Sequence, residues 1–265
     1  MEPLRTLVLA GLRKDKGTFV GLSLLLFLAA FALTLTTSLF ADLSAREEAL
    51  LDEAEAGDVF ANDLIANLTD EDVREIEALP EVAEVKVTEA FAAPTRIEDA
   101  QGNEVVKTAP PSASAYEAWG SSLDFNVFAD DLSSYRDDER GPADGEAYVR
   151  IAERTLHNIQ IGDYLVLDIG GRETSLRVAG FYEDPQMGTP FMEMKRYLLS
   201  SGTFDELLAE IEETAASDAG VASGATSAEK AAYPIREINV MLTPEARSQG
   251  IDGHDLTQLI DDKTS

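Results

Sequence analysis

The stretch TFVGLSLLLFLAAFALTLTTSLF, residues 18–40, contains no charged side chain in a protein of which 27% is charged. A helix of this length spans about 35 Å, enough to cross a hydrocarbon core of about 30 Å with some tilt. A cleaved secretory signal is the competing interpretation, because basic residues precede the run. The run is about twice the usual hydrophobic region of a signal, and Phe40, Asp42 and Leu43 interrupt a cleavage site around Ala41. The sequence therefore favours an uncleaved transmembrane helix over 18–40.

The two flanks of this apolar run differ in charge. The preceding side carries two acids, Glu2 and Asp15, and four basic residues, Arg5, Arg13, Lys14 and Lys16. The following side is strongly acidic, so the positive-inside rule predicts a cell-membrane protein with a cytoplasmic N-terminus and an extracytoplasmic main domain. Residues 1–17 are predicted to form an interfacial helix on the membrane lipid, because one helical face holds Leu4, Leu7, Val8, Gly11 and Leu12.

The composition excludes several classes of function. The net charge of −29 disfavours binding to nucleic acid and to anionic lipid headgroups. There is no cysteine, so disulfides, thiolate catalysis and cysteine-ligated metals are excluded. A cationic partner would be attracted to the acidic surface, but such a surface is more often a solubility or salt-adaptation trait.

The first part of the predicted extracytoplasmic domain has the pattern of a βαβ unit. Residues 41–57 are typical of a helical stalk, and 58–65 are a weak strand candidate. Thr69 and Asp72 match a capping box for a helix that ends before Pro80. The alternation of Val82, Val85 and Val87 with charged residues then predicts a strand. Strand, helix and strand in this order indicate a βαβ or split-βαβ unit.

The rest of the chain alternates between irregular and regular segments. Residues 93–142 read as an irregular insertion, and 215–232 as a loop. Between these two segments the pattern predicts a strand at 148–151, a helix at 152–158 and a hairpin of 164–169 and 174–182 across Gly170–Gly171. It also predicts a helix at 204–211, capped by Thr203 with Glu206. After the loop it predicts a strand at 235–242 and a helix at 256–260. The predicted fold class is α+β: an N-terminal transmembrane helix, then a mixed α/β domain over 58–265 with split-βαβ and hairpin elements.

Candidate chemical sites are few. His157 and His254 lack the neighbours of a metal motif, and surface or packed histidines are the better interpretation. Carboxylates at 130, 131, 137, 138 and 139 could gather a hard cation, but without EF-hand spacing a solvated loop is favoured. Met187, Met192, Met194 and Phe191 could bind apolar ligands, although core packing is the simpler interpretation. P-loop, G-x-S-x-G and H-E-x-x-H motifs do not occur, so the sequence predicts a non-enzyme without a cofactor.

Three segments, in this order, resemble the FtsX-like or MacB-like permease subunits of ABC transporters. LRTLVLAGLRKDKGTFVGLSLLLFLAAFAL (4–33) is similar to their first helix, LTDEDVREIEALPEVAEVKV (68–87) to the opening of their extracytoplasmic core, and AERTLHNIQIGDYLVLDIGGRETSLRVAGFYED (152–184) to a later strand-turn-strand segment of that core. The resemblance implies a homodimeric permease coupled to a cytoplasmic ATP-binding subunit. It places the ATPase contact on the N-terminal segment, at Leu4, Arg5, Leu7, Arg13 and Lys14.

One departure from the family pattern concerns the number of spans. Family members carry three further membrane spans after the extracytoplasmic domain, whereas this sequence has no other apolar run of useful length. We therefore expect a fragment, a truncated product or a stand-alone relative. The alternative hypothesis is a single-span sensor or binding protein with an acidic ectodomain. A secreted enzyme with a retained signal is the weakest hypothesis, because no catalytic constellation is visible.

Overall fold

In a computed structural model, the structure describes residues 16–53, 56–65, 67–107, 114–121, 123–138, 140–186, 195–218, 232–251, 253 and 255–256. The chain divides into two compact units, Met1–Leu50 and Leu51–Ser265. The first described element is helix α1 (Lys16–Glu53), which continues without a break past the predicted end of the apolar run. The predicted stalk, 41–57, is thus helical as far as Glu53 in the described part.

The apolar part of α1 is Val20–Leu43, with a mean hydropathy of 2.2, and none of it is buried. It is the one helix in the described ranges that is long and apolar enough to cross a membrane. Three threonines of this span donate their hydroxyls to carbonyls one turn earlier in the helix. The hydroxyls of Thr34 and Thr36 donate to the carbonyls of Ala30 and Ala32, at 2.9 and 2.8 Å. Such bonding lets threonine enter an apolar environment without an unpaired hydroxyl.

The described part of the second unit forms one mixed sheet of eleven strands. They are β1 (Val59–Leu64), β2 (Val82–Ala92), β3 (Thr95–Glu98), β4 (Glu104–Lys107), β5 (Ser114–Ala118), β6 (Asn126–Val127), β7 (Glu146–Arg150), β8 (Tyr164–Ile169), β9 (Arg172–Glu183), β10 (Lys195–Leu199) and β11 (Tyr233–Leu242). The order is β1-β11-β2-β5-β10-β7-β9-β8-β3-β4, with β6 paired to β9. The pairs β5–β10 and β7–β9 are parallel, and the others are antiparallel. The predicted α+β class is confirmed.

Four shorter helices accompany this sheet in the described residues: α2 (Asp70–Glu77), α3 (Ile151–His157), α4 (Ser201–Asp218) and α5 (Pro244–Gln249). The main core lies on one face of the sheet, where α4 inserts Phe204, Leu207 and Ile211. A second cluster joins the apolar face of α2 to β11, and Val73 and Ile76 of α2 are buried there together with Leu79, which follows the helix. A third lies on the opposite face of the sheet, around Tyr182 and Phe125.

The split-βαβ prediction is confirmed. Strand β11 lies between β1 and β2 and is antiparallel to both, so that Val240 pairs with Val59 on one side and Val85 on the other. The helix between β1 and β2 begins with the predicted capping box. The Asp72 backbone N–H donates to the Thr69 hydroxyl at 3.3 Å, and the Thr69 backbone N–H donates to the Asp72 carboxylate at 2.6 Å.

The predicted hairpin is also confirmed. Strands β8 and β9 pair from Tyr164↔Arg177 to Ile169↔Arg172 around Gly170 and Gly171. Both glycines have positive φ, +59° and +86°, which glycine adopts without a steric cost. The turn is closed by the Gly171 N–H, which donates to the Asp168 side chain at 2.8 Å.

Two local expectations need correction. Residues 93–142 are not an irregular insertion on the core, because they supply strands β3 to β6 and β5 lies inside the sheet between β2 and β10. Its Tyr116 is buried and stacks on Phe91 at 5.0 Å between ring centroids. The segment SAYEA lacks the alternation of a half-buried strand because both of its faces are covered.

The second correction concerns the start of α4. The predicted cap was Thr203 with Glu206, but the helix begins at Ser201, so Ser200 occupies the capping position. The Ser200 hydroxyl accepts from the Thr203 N–H at 3.1 Å. Thr203 lies in the first turn, and its hydroxyl accepts the Gly145 N–H at 2.9 Å, which ties the helix to the start of β7. The capping-box pattern fits Thr203 with Glu206, whereas Ser200 has threonine three residues later, so the pattern indicated the wrong cap.

Candidate functional site

The predicted ATPase contacts, Leu4, Arg5, Leu7, Arg13 and Lys14, lie outside the described residues. The methionine group at 187, 192 and 194 with Phe191 and the second histidine, His254, lie outside them too. Of the terminal helix predicted over 256–260, the structure describes residue 256, which is helical, and residues 257–260 lie outside the described ranges. The described residues therefore bring together none of the predicted contact set, and the candidate sites below come from other side chains.

His157 belongs to an ion-paired group on β7, α3 and β10. Its Nε2 lies 3.6 Å from the Glu153 carboxylate, which is buried and also pairs with Arg150 at 2.6 Å and Lys195 at 3.0 Å. These contacts join a helix to two strands and leave Glu153 enclosed. Within the described ranges no group of three or more His, Asp or Glu residues could hold a metal ion.

The predicted acidic loop is organised by local hydrogen bonds. Asp131 accepts the Ser133 backbone N–H at 3.0 Å, and Asp138 pairs with Arg136 Nε at 2.7 Å. Both carboxylates are thus directed at the loop itself. Its arrangement in the described residues is that of a folded turn with exposed acids.

A buried charged group, which we call the Arg196 cluster, lies on the sheet face opposite α4. It comprises Arg196 of β10, Glu117 of β5, Glu237 of β11 and Asp184, which follows β9. The guanidinium is completely buried and pairs with Glu237 Oε2 at 3.1 Å, with Asp184 Oδ2 at 3.3 Å and with Glu117. The aromatic rings of Phe60 and Phe125 each lie 5.5 Å from the guanidinium carbon, measured to the ring centroid.

The cluster holds three carboxyl groups and one guanidinium, and this imbalance favours the protonated form of one carboxyl group. Burial raises the pKa of the Glu237 carboxyl well above its ordinary value, and the neighbouring Glu117 adds to the rise. A neutral Glu237 can donate a hydrogen bond to the carboxylate beside it. The Tyr182 hydroxyl donates to the Arg196 carbonyl at 2.9 Å and closes the cluster. The group therefore joins β5, β10, β11 and the end of β9.

No sequence motif marks the Arg196 cluster. Glu117, Asp184, Arg196 and Glu237 come from four separate segments, and each stands beside ordinary strand or turn residues. The signal available in the sequence is the presence of charged residues among the apolar residues of a strand, as in KRYLL of β10 and REINVML of β11. Such residues are rarely buried unless they are paired.

An open cleft of about 610 Å³ lies where β7 and β9 meet the loop after β6. We call it the arginine cleft. Its lining contains three guanidinium groups and two carboxylates, together with one tyrosine: Arg136, Arg140, Arg177, Asp130, Glu146 and Tyr148. In a chain with 50 acidic and 21 basic residues, this local excess of basic groups reverses the overall charge balance.

Hydrogen bonds and packing position one wall of this cleft. Arg136 Nη1 donates to the Tyr148 hydroxyl at 2.9 Å, and that hydroxyl donates to the Arg140 carbonyl at 3.0 Å. Trp119 packs edge-on against Tyr148, with 5.7 Å between ring centroids. A Cβ at Gly141 would lie only 2.5 Å from the Trp119 ring, so glycine is required for this close approach.

The charged groups of the arginine cleft differ in how they are paired. Arg177 Nη1 lies 2.9 Å from Glu146 Oε1, and Arg136 pairs with Asp138. The side chains of Arg140 and Asp130 form no hydrogen bond or ion pair with the described residues. As far as the described residues go, this cleft therefore offers a ligand one cationic group, Arg140, and one carboxylate, Asp130, that have no partner in the fold.

Comparison with known proteins gives limited similarity. No family model matches the chain, and no curated protein matches it. Among solved structures, the chain is similar to the crystal structure of a domain assigned to a permease protein from Porphyromonas gingivalis, with a TM-score of 0.33, 12% identity and coverage of 69% of each chain. What the structure itself shows is an exposed apolar helix followed by a mixed α+β domain.

Proposed function

We propose that this chain is a non-enzymatic, permease-type subunit of an ABC transporter in the cell membrane. In this proposal α1 crosses the membrane with its N-terminus in the cytoplasm, and the sheet domain is extracytoplasmic and binds a substrate or partner. The N-terminal segment contacts a cytoplasmic ATPase, and two copies form the functional permease. The order of the three sequence segments that resemble FtsX-like and MacB-like permeases supports this choice.

The single observation that carries the proposal is the exposure of α1. Over Val20–Leu43 the helix is apolar on every side and no part of it is buried. A helix that is hydrophobic all round is stable inside lipid or inside a large protein core. Lipid therefore accounts for an apolar surface that the described protein leaves uncovered.

Membrane insertion is tested by two arginines near the middle of the span. Leu28→Arg with Phe31→Arg should lower the fraction of chain that resists alkaline carbonate extraction, since each arginine costs about 2.5–3.5 kcal/mol at a helix centre. The matched control is Leu156→Arg with Val105→Arg, two exposed apolar positions in the sheet domain. Equal extraction of the two double variants would contradict the insertion of α1.

Orientation is measured with single cysteines, because the chain has none of its own. A Ser134→Cys variant should react with a membrane-impermeant maleimide in intact cells. A Thr6→Cys variant should react only after permeabilisation. The reverse pattern would place the acidic domain in the cytoplasm and remove the permease proposal.

The ATPase contact is tested by reversing charge in the N-terminal segment. Arg13→Glu with Lys14→Glu should reduce co-purification of an ATP-binding subunit from crosslinked membranes. Arg74→Glu with Arg172→Glu, in the sheet domain, carries the same change in net charge and serves as the control. If neither pair changes recovery, the N-terminal segment is not the contact. If no ATPase is recovered with the wild type, the chain has no ATPase partner.

A second candidate is favoured by the single candidate span in the described residues. It is a membrane-anchored sensor or binding protein with an acidic ectodomain. This alternative predicts the same insertion and orientation as the permease, and differs in lacking an ATPase partner. Insertion and outward orientation without ATPase recovery would therefore select it.

A further inference from the structure

We propose that the arginine cleft binds short peptides with free termini, with the peptide carboxylate on Arg140 and the peptide ammonium on Asp130. The inference gives a ligand class to the binding role of the sheet domain. It does not rest on an ATPase, because binding is a property of the chain by itself.

The first step is the pairing pattern in the cleft. Arg136 and Arg177 have carboxylate partners within the fold, in Asp138 and Glu146. Arg140 and Asp130 line the same cleft, and neither pairs with a described residue. A cation and an anion in a single cleft, each without a partner in the part of the chain that the structure describes, complement a molecule that carries both charges.

The second step is long-range electrostatics. A net charge of −29 disfavours the approach of a free anion, even to a locally basic cleft. A zwitterion has no net charge, so this field does not oppose its approach. A peptide with free termini can thus reach Arg140 at little electrostatic cost, whereas a dianion such as phosphate meets repulsion.

The third step is size and lining. A volume of about 610 Å³ lies within the usual range of small-molecule sites, about 300–1,000 Å³, and exceeds the needs of one amino acid. Between its charged groups the cleft is lined by Ala129, Ile161 and Ala179 and by the Tyr148 ring. These surfaces suit the small apolar side chains and the backbone of a short peptide.

The fourth step is preorganisation. Tyr148 bonds both Arg136 and the Arg140 carbonyl, and Gly141 packs directly on Trp119. The Arg140 backbone is therefore held in place before a ligand arrives. A fixed backbone lowers the ordering cost of binding.

The test is calorimetric titration of the purified full chain in detergent with Ala-Ala-Ala. Three further probes are its N-acetylated form, its C-terminal amide and inorganic phosphate. We expect the free tripeptide to bind, and each blocked terminus to weaken binding by about twofold to fivefold, as for the loss of one exposed ion pair.

Two variants assign the termini to residues. Arg140→Gln should weaken binding of the free tripeptide by about the same factor and leave binding of the amide unchanged. Asp130→Asn should weaken binding of the free tripeptide and leave binding of the acetylated peptide unchanged. Arg74→Gln and Glu71→Gln, two exposed changes on α2, should alter neither affinity. Both cleft positions are exposed, so thermal unfolding of the variants should match that of the wild type.

Several results would overturn the proposal. The first two are no heat of binding for the tripeptide at about 10 mM and equal affinity for free and blocked peptides. The others are a tripeptide affinity that neither Arg140→Gln nor Asp130→Asn changes, and tighter binding of phosphate than of peptide. A failed peptide titration leaves the extraction, labelling and ATPase results unaffected, so the two proposals fail separately.

Discussion

At the scale of single residues, the Arg196 cluster places one guanidinium among three carboxyl groups without access to water. The isolated burial of any of these charges would cost several kcal/mol, and mutual pairing offsets that cost. Each carboxyl group comes from a different segment, so the arginine links strands that are distant in sequence. Replacing the central charge should therefore affect the whole domain.

Arg196→Met should lower the free energy of unfolding by about 3–5 kcal/mol at neutral pH, because the buried carboxylates around the guanidinium lose their counter-charge. The measurement is urea unfolding of the full chain in detergent, followed by the fluorescence of Trp119, the one tryptophan. Arg74→Met, an exposed position on α2, should change stability by less than about 0.5 kcal/mol. A loss below about 1 kcal/mol at Arg196 would show that the cluster contributes little.

Glu237 gives the cluster a dependence on pH. Its raised pKa means that the folded state holds a proton that the unfolded state releases above about 4.5, the ordinary value. The contribution of this group is therefore fully present below that value. It is lost as pH rises through the folded-state pKa, at up to about 1.4 kcal/mol per pH unit for one proton.

Glu237→Gln should remove this dependence. The variant should gain stability relative to the wild type as pH rises from about 5 to about 8, because glutamine stays neutral and still offers an N–H. Urea unfolding at several pH values measures the difference, and Glu245→Gln on α5 is the exposed control. A difference between Glu237→Gln and wild type that is constant with pH would mean that this carboxyl does not hold the proton.

At the scale of elements, the sequence predicted the features that depend on only a few consecutive residues. The Thr69–Asp72 box and the Gly170–Gly171 turn each occupy a few consecutive residues, and both formed as the sequence indicates. The position of β5 could not be predicted in this way. Its neighbours β2 and β10 are brought to it by the fold, and its five residues carry no periodic signal.

The candidate sites could not be predicted from short patterns either, because their residues come from distant segments. Arg136 and Arg140 lie in a segment whose acidic residues dominate its sequence, and Arg177 lies on β9, far along the chain. The pairing of β9 with both β6 and β7 brings these three cations to one cleft. The partners of Arg196 are likewise chosen by strand order, which no short pattern encodes.

The start of α4 gives a prediction at this scale. Ser200→Ala should lower the free energy of unfolding by about 1 kcal/mol, because the Thr203 N–H loses the hydroxyl that caps it. Ser201→Ala, one residue later, should have an effect within about 0.5 kcal/mol. Urea unfolding of both variants makes the comparison. If the two changes have equal effects, the cap is not Ser200.

At the scale of the whole molecule, the acidic surface opposes compactness through self-repulsion. Raising sodium chloride from about 20 mM to about 0.5 M shortens the screening length from about 20 Å to about 4 Å. The melting temperature of the chain in detergent should therefore rise with salt, given the net charge of −29. Chloride is the suitable anion, because sulfate would add its own strengthening of apolar burial. A flat or falling melting temperature would contradict a penalty from repulsion.

The position of β11 has a consequence for the folding of the domain during its synthesis. Val59 pairs with Val240, so β1, the strand that follows α1 in the sequence, can pair with β11 only after the chain has been synthesised past residue 240. Until then β1 and β2 have no strand between them, and the apolar face of α2 lacks the side chains of β11 that cover it. A ribosome that stalls before residue 233 would thus release an anchored chain with two open strand edges, a ready substrate for quality-control proteases.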